Sequence, residues 1–164
     1  LCAYGVAWVL LKIRHSTWRL AAGAAIVVVL IIEYASAPVL TLAPAPSKAD
    51  SWLAKQPPVV IIQLPMTRDW LYMYQGISHR QQMLNGYSGY VPASYPATRE
   101  SMRSFPDDRS LTYLRSRNVD YVILRGQFYP PAEWSAFLAQ LGTRADLSLV
   151  AQFPDGDAVY AVRK

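Results

Sequence analysis

The chain has 164 residues, of which 52% are hydrophobic and only 16% are charged, and its formal net charge is +5. Soluble domains carry charge on about a quarter of their residues, so this composition argues against an ordinary soluble protein and places part of the chain in lipid. The single cysteine, Cys2, excludes a disulfide framework and a thiolate metal site.

Two apolar blocks open the sequence. The first, residues 1–13, is too short to span a bilayer and starts within a hydrophobic run, so we expect the end of a truncated transmembrane helix and a longer parent polypeptide. The second, residues 20–40, is long enough to be a transmembrane helix, with Trp18 and Tyr34 as interfacial anchors. The alternative is a buried helical hairpin of a soluble protein, which is disfavoured because the run LAAGAAIVVVLII has no polar face.

Three cations, Lys12, Arg14 and Arg19, cluster at the short loop of residues 14–19 between these blocks. The positive-inside rule predicts that this loop is cytoplasmic and that everything after residue 40 is outside. Without these cations and Glu33, thirteen basic and ten acidic residues remain, a net charge of +3. No basic stripe accompanies the aromatic residues, so we expect no nucleic-acid partner.

Residues 41–46 are predicted to be a proline-rich stem and residues 47–164 a folded extracytoplasmic α/β domain. Ser47 and Asp50 are candidate caps of a short helix. The apolar, β-branched run of residues 59–64 is typical of a buried strand.

The rest of the domain alternates helices and strands. The patterns predict a helix after Asp107, a buried strand at residues 119–124, a helix from Pro130 to a stop at Gly142, and a closing β-hairpin around residues 154–157. They therefore predict a small α/β sandwich with a mixed sheet, parallel for the first two strands and antiparallel at the terminal hairpin. Such a domain needs no cofactor to fold.

Few residues suggest catalysis. His79 is the one histidine beyond the predicted span, and a lone Ser78-His79 adjacency is not a triad. The acidic and charged pairs have simpler interpretations as a helix cap (Asp107, Asp108), a turn (Asp155, Asp157) and a helix start (Arg68, Asp69). We therefore expect neither a catalytic residue nor a metal site.

The stretch NGYSGYVPASYP, residues 85–96, shows neither helical nor strand periodicity. Tyrosine has an apolar face and a polar tip, which suits both stacking on sugar rings and lying among lipid headgroups. The alternative is that these rings only cover the core. Asn85, Tyr87 and Tyr90 are the strongest candidates for binding.

Several segments together resemble the C-terminal region of bacterial polytopic membrane glycosyltransferases of the GT-C type, akin to the protein mannosyltransferase and arabinosyltransferase-like families. They are an apolar helix ending at Glu33, a proline stem, Trp52-Leu53, PPVVIIQLP (57–65), YMY (72–74), His79-Arg80, LNGYSGY (84–90) and VDYVIL (119–124).

The resemblance implies a protein of the bacterial plasma (inner) membrane that uses a polyprenyl-phosphate sugar as donor and a glycan or protein as acceptor. In that family the catalytic acid lies in an early outer loop, so none is assigned here. The outer domain is expected to help position substrate through His79, Arg80, Asn85, Tyr87 and Tyr90. The alternative is a non-catalytic, membrane-anchored binding or scaffolding module of the cell envelope.

Overall fold

The structure is a computed structural model that describes residues 2–35, 44–87 and 89–163. The chain divides into two compact units, residues 1–43 and residues 44–164. This boundary lies three residues before the predicted start of the domain at residue 47.

The described residues of the first unit form two helices, α1 (Cys2–Lys12) and α2 (Ser16–Tyr34). By length and composition, α2 is the one helix among the described residues that could cross a membrane, and none of its residues is buried. It begins four residues before the predicted span, and α1 ends at Lys12, so the link between the two helices is residues 13–15 instead of the predicted 14–19. The predicted end of the span and residues 41–43 of the stem lie outside the described residues.

The second unit contains five strands and five α-helices in its described part. In chain order they are α3 (Lys48–Leu53), β1 (Val60–Leu64), α4 (Asp69–His79), β2 (Gln82–Met83), α5 (Tyr95–Ser101), α6 (Asp108–Ser116), β3 (Tyr121–Arg125), α7 (Pro131–Gly142), β4 (Leu147–Gln152) and β5 (Asp157–Val162), with a 3-10 helix (Gly126–Phe128) after β3.

The strands form one mixed sheet in the order β2-β1-β3-β5-β4. β1 is parallel to both β2 and β3, whereas β5 is antiparallel to β3 and β4. The mixed α/β fold, the parallel pairing of the first two predicted strands and the terminal hairpin are therefore confirmed.

Side chains alternate between two buried sheet faces. On β1, Ile62 and Leu64 face the cluster that includes α5, α6 and α7, whereas Ile61 faces the cluster that includes α3. α4 packs against α3, so helices cover both faces. The two-sided burial explains why β1 is a continuous apolar run.

Two predicted helix starts have the expected caps. Ser47 and Asp50 cap α3 reciprocally, each side chain accepting the other's backbone N–H. Asp107 caps α6 by accepting the N–H of Ser110 at 2.8 Å. α7 starts at Pro131, the second residue of the predicted Pro130-Pro131 start, and its last residue is Gly142, the predicted stop.

One strand and one α-helix were not predicted, nor was the 3-10 helix after β3. β2 has only two residues, and α5 begins at Tyr95 within the stretch interpreted as an irregular loop. Pro96 lies in the first turn of α5, where its missing N–H costs nothing.

Candidate binding cavity

A cavity of about 860 Å³ lies at the carboxyl end of β1. β2, the strand that follows β1 in the chain, lies on one side of β1. The later strands β3, β4 and β5 lie on the other side of β1, so the order of strands reverses there. The crevice beyond such a topological switch point is the usual ligand site of open α/β sheets, and this volume is within the range of small-molecule sites.

Aromatic rings form much of the wall, namely Tyr87, Tyr95, Phe105, Tyr129 and Phe137. They hold one another in defined arrangements: Tyr87 meets Tyr95 edge-on at 4.8 Å between centroids, and Tyr129 stacks on Phe137 at 5.4 Å. Burial raises the pKa of Tyr129, so its hydroxyl stays protonated over the physiological range. The rings thus offer fixed apolar faces with neutral polar tips.

Charged side chains line the same cavity. They are Arg99 and Glu100, both on α5, and Arg103, which follows Arg99 by four residues. Both arginines are exposed, and in the described part of the chain no carboxylate lies within ion-pair distance of either. Their guanidinium groups are therefore free to bind an anion.

A smaller cavity of about 350 Å³ shares part of this wall, including Thr67, Tyr87, Tyr95 and Arg99. It is also lined by Asp69 and Trp70 at the start of α4. The aromatic and cationic wall therefore serves both cavities.

Asp69 holds the wall residue Tyr95 in place and also bonds Asn85. Its carboxylate accepts hydrogen bonds from the Tyr95 hydroxyl at 2.7 Å and from Asn85 Nδ2 at 2.8 Å. Burial and the hydrogen bond to Asp69 raise the pKa of Tyr95, which keeps the hydroxyl protonated as a donor. Asn85 also exchanges two hydrogen bonds of 2.8 Å with the backbone of Gln63 in β1.

A second polar cluster is buried on the opposite face of the sheet. Arg125, at the end of β3, donates to Asp50, to Ser47, to Gln63 Oε1 at 2.9 Å and to Asp157 Oδ2 at 2.6 Å. Burial lowers the pKa of Arg125, but the two carboxylates outweigh it and the net shift is upward. Burial raises the pKa of Asp157, and Arg125 offsets part of that effect. Arg125 is only 1% exposed, so the cluster holds the fold together and offers no surface to a ligand.

His79 lies at the margin of this cluster. It is buried, its Nδ1 accepts the N–H of Gln81 at 3.0 Å, and its Nε2 is 3.9 Å from Asp50 Oδ1 without a hydrogen-bond partner in the described residues. Burial lowers the pKa of His79, an effect that Asp50 opposes and Arg125 reinforces. The neutral imidazole is therefore the stable form.

The structure separates the predicted site residues. Tyr87 lines both cavities, and Asn85 lies behind their wall with its amide fully hydrogen-bonded. Arg80 is an exposed residue that ends α4 in the left-handed conformation, with φ 56°. His79, Arg80 and the exposed Tyr90 do not line either cavity. Their role in substrate binding stays a prediction.

Sequence reasoning missed Arg99, Arg103, Tyr95 and Tyr129 as wall residues. The spacing of the two arginines by four residues was the available signal, but no apolar periodicity indicated a helix there. It also assigned Asp157 to a turn, whereas its carboxylate pairs with the buried Arg125.

No group of three or more His, Cys, Asp or Glu residues in the described ranges could hold a metal ion. A scan against models of protein families finds no match for the chain, and a search of curated proteins finds none either.

Proposed function

We propose that the chain is the terminal span and outer domain of a bacterial membrane glycosyltransferase of the GT-C type, which transfers sugar from a polyprenyl-phosphate donor. In this proposal the α/β unit positions a substrate, and the catalytic acid belongs to an earlier part of the polypeptide, as in the family that the sequence resembles.

The observation that carries the proposal is the combination of aromatic rings and unpaired arginines in one cavity. The face of Tyr87 suits a sugar ring, because the C–H groups of the sugar pack on aromatic faces and its hydroxyls bond the phenolic tip. Arg99 and Arg103 suit phosphate, which a guanidinium binds through two parallel N–H bonds. A sugar attached to a phosphate has both features.

The membrane location rests on α2 and on the cations around its start. In the proposal α2 spans the plasma membrane, Lys12, Arg14 and Arg19 stay in the cytoplasm, and the α/β unit is outside. A reporter that functions only outside the cytoplasm should be active when it is fused after residue 164. Activity of a cytoplasmic reporter at the same position would contradict the orientation.

Sugar transfer by the full-length protein tests the role of the cavity. Arg99→Ala should raise KM for the phosphate-bearing substrate about 10- to 100-fold, since a hydrogen bond to a charged group contributes about 1.5–3 kcal/mol. Tyr87→Ala should raise the same KM, with kcat little changed in both variants. Arg109→Ala is the matched control, because Arg109 is an exposed arginine of α6 that does not line the cavity.

Unchanged KM and kcat in Tyr87→Ala and Arg99→Ala would refute the positioning role. The second candidate function, a non-catalytic binding module of the cell envelope, uses the same cavity without a reacting group. It would be favoured if the full-length protein bound a glycan through Tyr87 and Arg99 but transferred no sugar.

A further inference from the structure

The exposed face of α4 is apolar, which is the reverse of an ordinary surface helix. Trp70, Met73, Tyr74 and Ile77 follow one another at i, i+3, i+4 and i+7 and are 57%, 39%, 43% and 70% exposed. We call these four residues the α4 stripe. An ordinary amphipathic helix turns such a stripe towards the core and places charges outside.

The opposite face of α4 does hold the helix to the core, but largely with polar side chains. Asp69, Gln75 and His79 are buried there beside Tyr72. Met73 also packs beside Gly86, but the inverted pattern leaves the exposed parts of the four side chains uncovered by the described residues. Single exposed apolar residues need no explanation, whereas a continuous row marks an interaction surface.

Charge around the α4 stripe favours an anionic occupant. The exposed Arg68 and Arg80 lie immediately before and after α4, and the only carboxylate of the helix, Asp69, is buried. Apolar and aromatic residues flanked by arginines, with no exposed acid, are typical of a helix lying at the boundary of lipid headgroups and acyl chains.

The position of α4 within its unit adds a second argument. Gln75 Nε2 donates to the carbonyl oxygen of Ala45 at 3.3 Å, so α4 lies beside the point where the chain enters the domain. Only eight residues, 36–43, separate that entry from the last described residue after α2, a reach of at most about 30 Å. A bilayer crossed by α2 is therefore within reach of α4.

We propose that the α4 stripe docks the α/β unit on the surface of an anionic phospholipid bilayer, with Arg68 and Arg80 against the lipid phosphates. This inference rests on the membrane-spanning part of the proposed function but not on sugar transfer. It assigns to α4 a surface that is separate from the wall residues Arg99 and Arg103, although Trp70 lies at the edge of the smaller cavity.

Spin labels on the full chain in vesicles distinguish the possible occupants. The chain carries Cys2→Ser and a nitroxide at Ile77→Cys, or at Trp70→Cys as a second position. Oxygen concentrates in lipid and a nickel chelate in water, so collisions with each report whether the label lies in lipid, in water or under protein. Ala139→Cys, exposed on α7 at the other face of the sheet, is the matched control, and Val28→Cys in α2 reports the span itself.

In vesicles with anionic lipid, we expect the ratio of oxygen to nickel collisions at position 77 to be several-fold higher than at position 139. The ratio should fall when zwitterionic lipid replaces the anionic lipid, and equal ratios in the two bilayers would overturn the role of Arg68 and Arg80. A water-like label at position 77 would overturn the docking.

A label at position 77 with low collisions of both kinds would show that protein covers the stripe, and dipolar coupling between labels would identify a second copy. Either result overturns the proposal. A water-like label at position 28 would overturn the span and the docking together. Loss of sugar transfer in the Tyr87 and Arg99 variants has no bearing on any of these readouts, so the two failures remain distinguishable.

Discussion

The side chain of Asn85 takes the place of a peptide group beside β1. Its amide exchanges two hydrogen bonds with the backbone of Gln63 and gives a third to Asp69, all in a fully buried position. Removing this side chain is therefore expected to destabilise the fold whether or not a ligand is bound.

Asn85→Ala should therefore lower the free energy of unfolding by about 1–3 kcal/mol or more, because it leaves buried donors and acceptors unpaired. Chemical denaturation of the reconstituted chain measures the change. Tyr90→Ala is the comparison, since Tyr90 is 78% exposed and its removal should leave stability unchanged. Weaker substrate binding by Asn85→Ala at unchanged stability would instead support direct contact with substrate.

His79 should make stability depend on pH. Burial lowers its pKa below the ordinary value of 6.5, so as pH falls through 6.5 the unfolded chain takes up a proton that the folded chain does not. The contribution of His79 is complete above pH 6.5 and is lost as pH falls towards the lowered pKa.

His79→Gln should therefore flatten the decline in stability between pH 7 and pH 5. Denaturation curves at several pH values, compared with the parent chain, isolate this contribution. The opposite effect of Asp157, whose raised pKa stabilises the fold as pH falls towards its ordinary value of 3.8, is common to both proteins. An identical dependence of stability on pH in His79→Gln and in the parent chain would contradict the lowered pKa of His79.

At the scale of elements, the 3-10 helix after β3 meets the hairpin turn between β4 and β5 backbone to backbone. A Cβ on Gly126 would lie 2.9 Å from the carbonyl carbon of Gly156, and closer still to its oxygen. Gly156 itself has φ +88°, a conformation that side chains disfavour. The two glycines thus fix the distance between the 3-10 helix and the turn.

Gly126→Ala should cost about 1–3 kcal/mol of stability, because backbone atoms on both sides must move to accept the methyl group. Gly142→Ala is a matched control with open space around the added carbon, and it should be neutral or slightly stabilising. Equal stability of the two variants in chemical denaturation would show that the turn moves to accept the methyl group at no measurable cost.

The sequence predicted the elements that carry strong local signals. β1 and β3 are unbroken apolar runs, and α6 has an acidic start and a basic end, so propensity and packing agree there. β2 and α5 were missed because two strand residues and a seven-residue helix show no periodicity of their own; β2 exists because it pairs with β1. Tyr87 was predicted at the site, but Arg99 becomes a wall residue only through the crossover from β2 to β3.

At the scale of the whole molecule, Arg125 joins parts of the domain that are far apart in sequence. It connects Ser47 and Asp50 near the domain entry with Gln63 in β1 and Asp157 in the last strand. The cluster is recognisable only in three dimensions, since an arginine at a strand end ordinarily points to solvent.

Arg125→Met should lower stability by about 3–5 kcal/mol, because two buried carboxylates lose their counter-charge. Adding Asp50→Asn and Asp157→Asn should restore much of this loss, which chemical denaturation of the three proteins would detect. Arg115→Ala is the control: it removes a partly exposed pair with Asp146 and an exposed hydrogen bond to the Arg163 carbonyl, so it should cost much less than Arg125→Met. Failure of the two asparagines to restore stability would assign the loss to packing instead of charge.

The same cluster determines how the domain responds to mechanical load. Tension applied at the start of the domain is opposed first by the hydrogen bond from Gln75 to Ala45 and then at Ser47 and Asp50, which are held by the guanidinium of Arg125 on the central strand β3. The short helix α3 cannot then unwind one residue at a time, because its release requires the two hydrogen bonds from Arg125 to Ser47 and Asp50 to break together. A domain held in this way resists being unravelled from its N-terminal end.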